Sequence, residues 1–120
     1  MSFSEIDRPT CFIRQLDKLI KKYKRSEEDL QKHINSIAIN PIRGDRVPRF
    51  QGVHIRKLRI PLKEYKLGKS SGIRVIYMVD ITYKWILMVA IYSKKDNNSE
   101  KAIQSMIKDN LKLINIDHFK

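Results

Sequence analysis

Cationic side chains interrupt the strand-like segments in the middle of this chain. Lys57 and Arg59 alternate with apolar residues in one segment, and Arg74 interrupts the apolar segment at residues 73–79. A further apolar segment ends in a basic stretch that contains Lys95. Arginine presents a planar fork of N–H donors that matches phosphate oxygens, and lysine adds a compact positive charge. These residue types predict a surface that binds and cleaves a polyanion, with RNA as the leading candidate.

The same residues are sufficient for RNA cleavage without a metal ion. The 2′-hydroxyl of RNA can attack the adjacent phosphorus if a base takes its proton, cations stabilise the phosphorane and an acid protonates the leaving oxygen. Arg59 and Arg74 are predicted to stabilise the negative charge. Lys57 or Lys95 is predicted to serve as the base, because neighbouring cations lower the pKa of a lysine. Tyr92 is predicted to stack on a nucleobase or donate a proton.

Each of these residues also has a structural interpretation. Lys57 and Arg59 would suit the exposed face of an edge strand, where charges oppose aggregation. Tyr92 would suit a core position. His54 is a candidate acid or base, although a single histidine in a strand more often has a structural role than a catalytic one. Arg74 is harder to explain structurally, because a charge inside an apolar strand needs a partner or a function.

The charge balance of the whole chain favours an anionic partner. Among 120 residues, 25 Lys and Arg oppose 13 Asp and Glu, which gives a formal net charge of +12. Residues 43–74, which include Lys69, hold ten cations and two acids. Nucleic acid is the first interpretation, because such self-repulsion otherwise only destabilises the fold. Two alternative partners are an anionic membrane surface and an acidic protein. A third alternative is a soluble domain that is basic without having an anionic partner.

Several kinds of site are not indicated by the sequence. His33, His54 and His118 are not spaced like metal ligands, and no Gly-rich phosphate loop is present. Cys11 is the single cysteine, and the longest apolar run, residues 85–92, is too short to span a bilayer. The N-terminal residues lack the pattern of a signal peptide. We therefore expect no metal or cofactor, and a soluble protein of the cytoplasm.

Two N-terminal segments have the periodicity of amphipathic helices. From Thr10, apolar residues recur at helical spacing as far as Tyr23. Ser26 and the three acids that follow it predict the start of a second helix, because a hydroxyl can cap and acids favour the positive end of the helix dipole. Asn40 and Pro41 end it, since proline disfavours helical geometry in the residue before it.

Alternation of apolar and polar residues predicts strands in the rest of the chain. In residues 53–62, Leu58 and Ile60 share one face, and Lys57 and Arg59 share the other. The remaining predicted elements are a short edge strand at residues 2–7, a loop at 41–52, a hairpin of strands at 73–79 and 84–92, and a last helix that Ser99 caps.

This order of elements predicts a single α+β domain over residues 1–120. A small antiparallel sheet is expected to pack against an N-terminal helical hairpin and a C-terminal helix, with the helices covering one face.

The motifs resemble the RelE/ParE superfamily, and most of all its RelE/HigB-like branch. The chain carries, in order, PTCFIRQLDKLIKKY, EEDLQKHI, NPIRG, RKLRI, GKSSGIRVIY and ILMVAIYSKK. The resemblance covers roughly residues 9–107, and its last two motifs are the most specific. It implies a compact α+β fold with helices on a curved antiparallel sheet.

The resemblance also implies a function. Members of this superfamily are toxins of type II toxin–antitoxin pairs, and this branch cuts mRNA in the ribosomal A site without a metal. A small acidic antitoxin encoded beside the toxin neutralises it. The implied partners are therefore an antitoxin, the ribosome and mRNA.

The resemblance carries residue roles onto this sequence. The strand RKLRI supplies Lys57 and Arg59, with Arg56 beside them; GIRVIY supplies Arg74; the residue after the last strand is Lys95 or Lys94. The predicted catalytic set is Lys57, Arg59, Arg74 and Lys95, and the predicted RNA-binding set is His54, Arg56, Lys69, Tyr92 and Lys94.

The chain also departs from the family pattern. Some relatives carry a catalytic tyrosine in or before the last helix, and residues 98–102 contain none. Others use a C-terminal histidine, for which His118 is a distant candidate. Two alternatives to a ribonuclease follow: a ParE-like inhibitor of DNA gyrase, and a decayed toxin that only binds antitoxin or RNA.

Overall fold

The computed structural model describes residues 5–47, 54–62, 65, 72–80, 84–95 and 99–118. Within them the chain forms an α+β domain with three helices and one five-stranded sheet. The elements are β1 Glu5–Asp7, α1 Thr10–Lys22, α2 Glu27–Ile39, β2 Asp45–Arg46, β3 Ile55–Ile60, β4 Ile73–Asp80, β5 Trp85–Ser93 and α3 Glu100–His118. The predicted fold class is confirmed. No helix in the described part of the chain is both long and apolar enough to cross a membrane.

The sheet has the strand order β1-β5-β4-β3-β2. Neighbours pair antiparallel except β1, which runs parallel to β5. The predicted antiparallel sheet therefore includes one parallel pair, at this edge. The partner of a three-residue strand is set by contacts distant in sequence, which local alternation does not encode. The short strand β2 likewise forms inside a segment predicted as loop.

The two N-terminal helices follow the predicted apolar stripes. Helix α1 buries Phe12, Leu16 and Leu19, and α2 has its three acids in the first turn. The prediction that the Ser26 side chain caps α2 is wrong, because its hydroxyl makes no capping hydrogen bond. Its hydroxyl instead donates to the Tyr23 carbonyl at 2.6 Å, so that it stabilises the turn between the helices.

Helices cover both faces of the sheet, so the prediction of one covered face is wrong. The cluster that contains the buried residues of α1 and α2 includes Val75 and Tyr77 of β4. A second cluster, on the opposite face, includes Ile76 of β4 and Ile107 of α3. Double-sided burial explains why Ile55 is out of phase with Leu58 and Ile60, because Ile55 packs in the second cluster.

A register shift in β5 changes which of its side chains face α3. Ile76 pairs with Ala90 whereas Tyr77 pairs with Met88, which leaves Val89 as an extra residue in β5. Such a bulge reverses the alternation beyond it. Ile86 and Met88 therefore lie on the α1 and α2 side, while Tyr92 lies on the α3 side. Without the extra residue, Tyr92 would face the other core.

Candidate functional site

A small basic cleft lies between the second face of the sheet and the start of α3. Its volume is about 100 Å³, and Lys57, Arg59, Arg74, Tyr92 and Lys94 contribute to its lining. Pockets for drug-sized ligands usually exceed ~300 Å³, so this cleft suits a phosphate group. A larger cavity of about 320 Å³ beside Arg25 and Tyr65 contains none of these five residues.

The strand register brings the predicted cations together. Arg59 of β3 lies opposite Arg74 of β4, which in turn lies opposite Tyr92 of β5. The three residues form one row across the sheet. Lys57 precedes Arg59 by two residues, so alternation places it on the same face. The sequence predicted that Lys57 and Arg59 share one face of their strand. In the structure that face continues across β4 and β5, where it includes Arg74 and Tyr92.

Arg74 is a buried cation with an unfilled hydrogen bond. Its side chain is 5% exposed, and its Nη1 has no hydrogen-bond partner among the described residues. Burial lowers the pKa of Arg74, the charge of Arg59 lowers it further, and Tyr92 acts in the opposite direction. A buried guanidinium arm without an acceptor is costly unless an anion completes it. The cleft therefore offers a donor to an incoming anion.

Lys57 is half-buried in the same cleft. Burial is the main cause that lowers its pKa, followed by the charges of Arg59 and Arg74; Lys94 contributes less. Glu100 acts in the opposite direction. A lysine with a lowered pKa exchanges protons more readily near neutral pH, which suits acid–base chemistry.

Tyr92 is almost fully buried, with 4% exposure. Burial raises its pKa, an effect that Arg74 and Arg59 oppose and Glu100 reinforces. The phenol therefore stays protonated at neutral pH and can donate a hydrogen bond into the cleft. Its burial favours that role over stacking on a nucleobase.

The two lysines after β5 differ in position. Lys94 is half-buried, lines the cleft and donates its backbone N–H to the Gly72 carbonyl at 3.0 Å. Lys95 is exposed and is not part of the cleft lining. The geometry thus brings Lys94, rather than Lys95, to the predicted site.

Arg56 and His54 lie away from this cleft. The Arg56 guanidinium donates to the carbonyls of Gly44 at 2.6 Å and Ile42 at 3.2 Å, and Arg56 pairs with Tyr77 on the α1 and α2 side. Burial and the charges of Arg46 and Arg56 lower the pKa of His54. The sequence assigned both residues to RNA binding, but the structure joins Arg56 to the loop before β2. Lys69 lies outside the described residues.

A solved structure shows what this geometry resembles. No family model and no curated protein matches the sequence. A mutant of the Escherichia coli toxin RelE in the free state matches over 95% of this chain and 99% of that chain, with 16% identity and a TM-score of 0.58. This chain has the RelE fold. In this chain, four of the five lining residues named above lie on strands β3, β4 and β5 of the sheet, and the fifth, Lys94, lies in the turn after β5.

The helix that closes the cleft of this RelE fold adds a residue that sequence reasoning missed. Glu100 is the first residue of α3 and lines the cleft, as do Ile103, Gln104 and Ile107. These positions recur at helical spacing, and Ser99 caps the helix as predicted, since its Oγ accepts from the Ala102 N–H at 3.3 Å. The periodicity of α3 indicates which residues share a helix face, but only the docked helix shows that its polar residues Glu100 and Gln104 line the basic cleft.

Within the described part of the RelE fold, no group of three or more His, Cys, Asp and Glu side chains is arranged to hold a metal ion.

Proposed function

We propose that this chain is the toxin of a type II toxin–antitoxin pair and a metal-independent endoribonuclease that cuts mRNA on translating ribosomes. One observation carries the proposal: the buried Arg74 guanidinium has an Nη1 without an acceptor among the described residues, in a phosphate-sized cleft beside Arg59 and Lys57. The RelE fold supports the toxin assignment.

The cleft residues divide the reaction between them. Arg59 and Arg74 hold the non-bridging oxygens of the scissile phosphate and stabilise the phosphorane, where negative charge develops. Lys57 transfers a proton, and the Tyr92 hydroxyl donates a hydrogen bond to the phosphate. The 2′-hydroxyl of the RNA attacks phosphorus, which leaves a 2′,3′-cyclic phosphate and a free 5′-hydroxyl. The protein then inhibits translation in the cytoplasm by destroying mRNA.

Primer extension on a translated reporter mRNA after induction of the chain tests this proposal. Arg74→Ala is compared with Arg14→Ala, a matched change at an exposed arginine of α1. New ends within translated codons for the wild type and Arg14→Ala, absent for a folded Arg74→Ala, are the expected result. Intact mRNA with growth arrest would indicate a gyrase inhibitor instead. Intact mRNA with normal growth would indicate a binding module without nuclease activity.

The proposed partner is a small acidic antitoxin. A chain with a net charge of +12 attracts a polyanionic protein segment, and an amphipathic segment could cover the basic cleft. Co-expression with the adjacent reading frame should give a stable complex and restore growth. The absence of any small acidic protein beside the gene would count against this partner.

A further inference from the structure

Glu100 is the one acidic side chain that lines the basic cleft among the described residues. It is exposed at the start of α3, and the cleft that it lines is shared with Lys57 and Arg59 of β3, Arg74 of β4, Tyr92 of β5 and Lys94 of the following turn. A carboxylate in a phosphate-sized, cation-lined cleft opposes anion binding. Glu100 therefore does not increase the affinity of the cleft for phosphate, and its presence there needs another explanation.

The position of Glu100 is fixed by the packing of α3. The Ser99 carbonyl accepts from the Ile103 N–H at 3.0 Å, and Ile103 packs against the second core cluster. Farther along the helix, the buried Asn110 amide donates to the Val89 carbonyl of β5 at 2.9 Å. A residue at the first position of a helix anchored at both of these points is held steadily over the sheet.

The charge of Glu100 acts on residues of two different strands. It opposes the lowering of the Lys57 pKa on β3, and it adds to the raising of the Tyr92 pKa on β5. Glu100 lines the same cleft as both of these residues, so a phosphate that enters the cleft meets all three side chains. The cleft thus contains an anionic proton acceptor beside a cationic proton donor.

We propose that Glu100 is the general base of the cleavage reaction and Lys57 its general acid; this assignment rests on the function proposed above. The Glu100 carboxylate takes the proton of the 2′-hydroxyl while the 2′-oxygen forms its bond to phosphorus. The bond from phosphorus to the 5′-oxygen breaks, and the departing oxygen takes a proton from the Lys57 ammonium. Proton exchange with water then restores the carboxylate and the ammonium, so atoms and charges balance.

The chemical types of the two residues favour this division of roles. An ionised carboxylate accepts a proton directly, whereas a lysine must first lose one before it can act as a base. The ammonium of Lys57 is also the better match to the leaving oxygen, because protonation there cancels developing negative charge. The competing explanation is that Glu100 is a counter-ion that merely occupies the phosphate site of the free protein.

Single-turnover cleavage separates these two explanations. The full-length chain is mixed in excess with ribosomes that hold a short mRNA, and Glu100→Gln and Glu100→Asp are compared with the wild type. Glu27→Gln is the matched control, because Glu27 is the exposed first residue of α2 and is not part of the cleft lining. General-base catalysis predicts a rate loss of about 10²–10⁴-fold for Glu100→Gln at saturation. Glu100→Asp should recover part of it, and the half-saturating concentration should not rise.

The pH profile and a modified substrate separate the proton that Lys57 moves from the proton that Glu100 moves. The wild-type rate should fall where Lys57 loses its proton, below the ordinary lysine value of 10.5, because the pKa of Lys57 is lowered. On an mRNA whose 5′-leaving oxygen is sulfur, which leaves without an acid, the Lys57→Ala defect should shrink while the Glu100→Gln defect persists.

The outcomes also separate this assignment from the proposed function. If the wild type cleaves and Arg74→Ala does not, but Glu100→Gln cleaves at the wild-type rate, the nuclease stands and the general-base assignment is overturned. The general-base assignment is likewise overturned if Glu100→Gln changes only the half-saturating concentration, if the sulfur substrate rescues it, or if Glu27→Gln loses as much rate. If the wild type does not cleave at all, both proposals are overturned.

Discussion

Arg59 and Arg74 lie directly opposite each other on β3 and β4, on the sheet face that α3 covers. Like charges in opposed positions of an antiparallel pair destabilise the sheet. Arg74 adds a cost of burial, since it is 5% exposed and the pKa of its guanidinium is lowered by desolvation. This pair is explained if an anion joins the two guanidinium groups when the site is occupied.

The first prediction concerns the stability of the free protein. Arg74→Met should raise the free energy of unfolding by about 1 kcal/mol, because it replaces an incompletely bonded buried charge with an apolar side chain of similar length. Urea unfolding measures this change. Arg14→Met, at an exposed position of α1, should alter stability by no more than about 0.5 kcal/mol. A less stable Arg74→Met would mean that the guanidinium makes a favourable contact in the free protein.

The second prediction compares two adjacent lysines. Lys94→Ala should weaken binding of a cleavage-resistant single-stranded RNA more than Lys95→Ala, because only Lys94 lines the cleft. Loss of one phosphate contact should reduce the slope of log affinity against log salt by about 0.7. Fluorescence anisotropy over a salt series measures both quantities. Equal effects of the two substitutions would place the RNA outside the cleft.

The third prediction concerns the loop before β2. The Tyr77 hydroxyl accepts from the Gly44 N–H at 3.0 Å and donates to the Pro41 carbonyl at 2.8 Å, and both contacts are buried. Tyr77→Phe leaves both backbone groups unpaired and should cost about 1–3 kcal/mol of unfolding free energy. Chemical denaturation measures this loss.

Tyr65→Phe is the matched control for that experiment. The Tyr65 hydroxyl accepts one exposed bond from the Arg25 N–H at 3.1 Å, and its ring contact with Tyr23 survives the change. Its cost should be well below that of Tyr77→Phe. Equal costs would contradict the assignment of Tyr77 as the anchor of this loop. Gly44→Ala should also be poorly tolerated, since an added Cβ would lie 2.8 Å from the Lys57 carbonyl oxygen.

The fourth prediction concerns the attachment of α3. Asn110 donates to the Val89 carbonyl and, at 3.2 Å, to the Gln15 side chain, whose oxygen also accepts from the Ile91 N–H. Asn110→Ala removes the buried side-chain hydrogen bond to the Val89 carbonyl and should cost about 1–3 kcal/mol. Hydrogen exchange should accelerate in α3 before it accelerates in α2. Asp109→Ala, at the exposed neighbouring position, should leave exchange in α3 unchanged; acceleration there would contradict a specific role for Asn110.

Local pattern was sufficient to predict the helices and most of the strands. The stripe of Phe12, Leu16 and Leu19 and the proline after Asn40 act within a few residues, so their consequences do not depend on the rest of the fold. Alternation alone also placed Lys57 and Arg59 on one strand face. The sequence by itself therefore determined the fold class and the cationic character of the site.

The tertiary structure decided which of those groups meet. The extra residue at Val89 turns Tyr92 towards Arg74, and the docking of α3 brings Glu100 to Lys57. The pairing of β3 with β4 places Arg56 opposite Tyr77, on the other face of the sheet, where it donates to the carbonyl of Gly44 instead of lining the cleft. Strand register, bulges and helix docking depend on contacts between residues far apart in sequence, and the alternation within one segment carries no information about them.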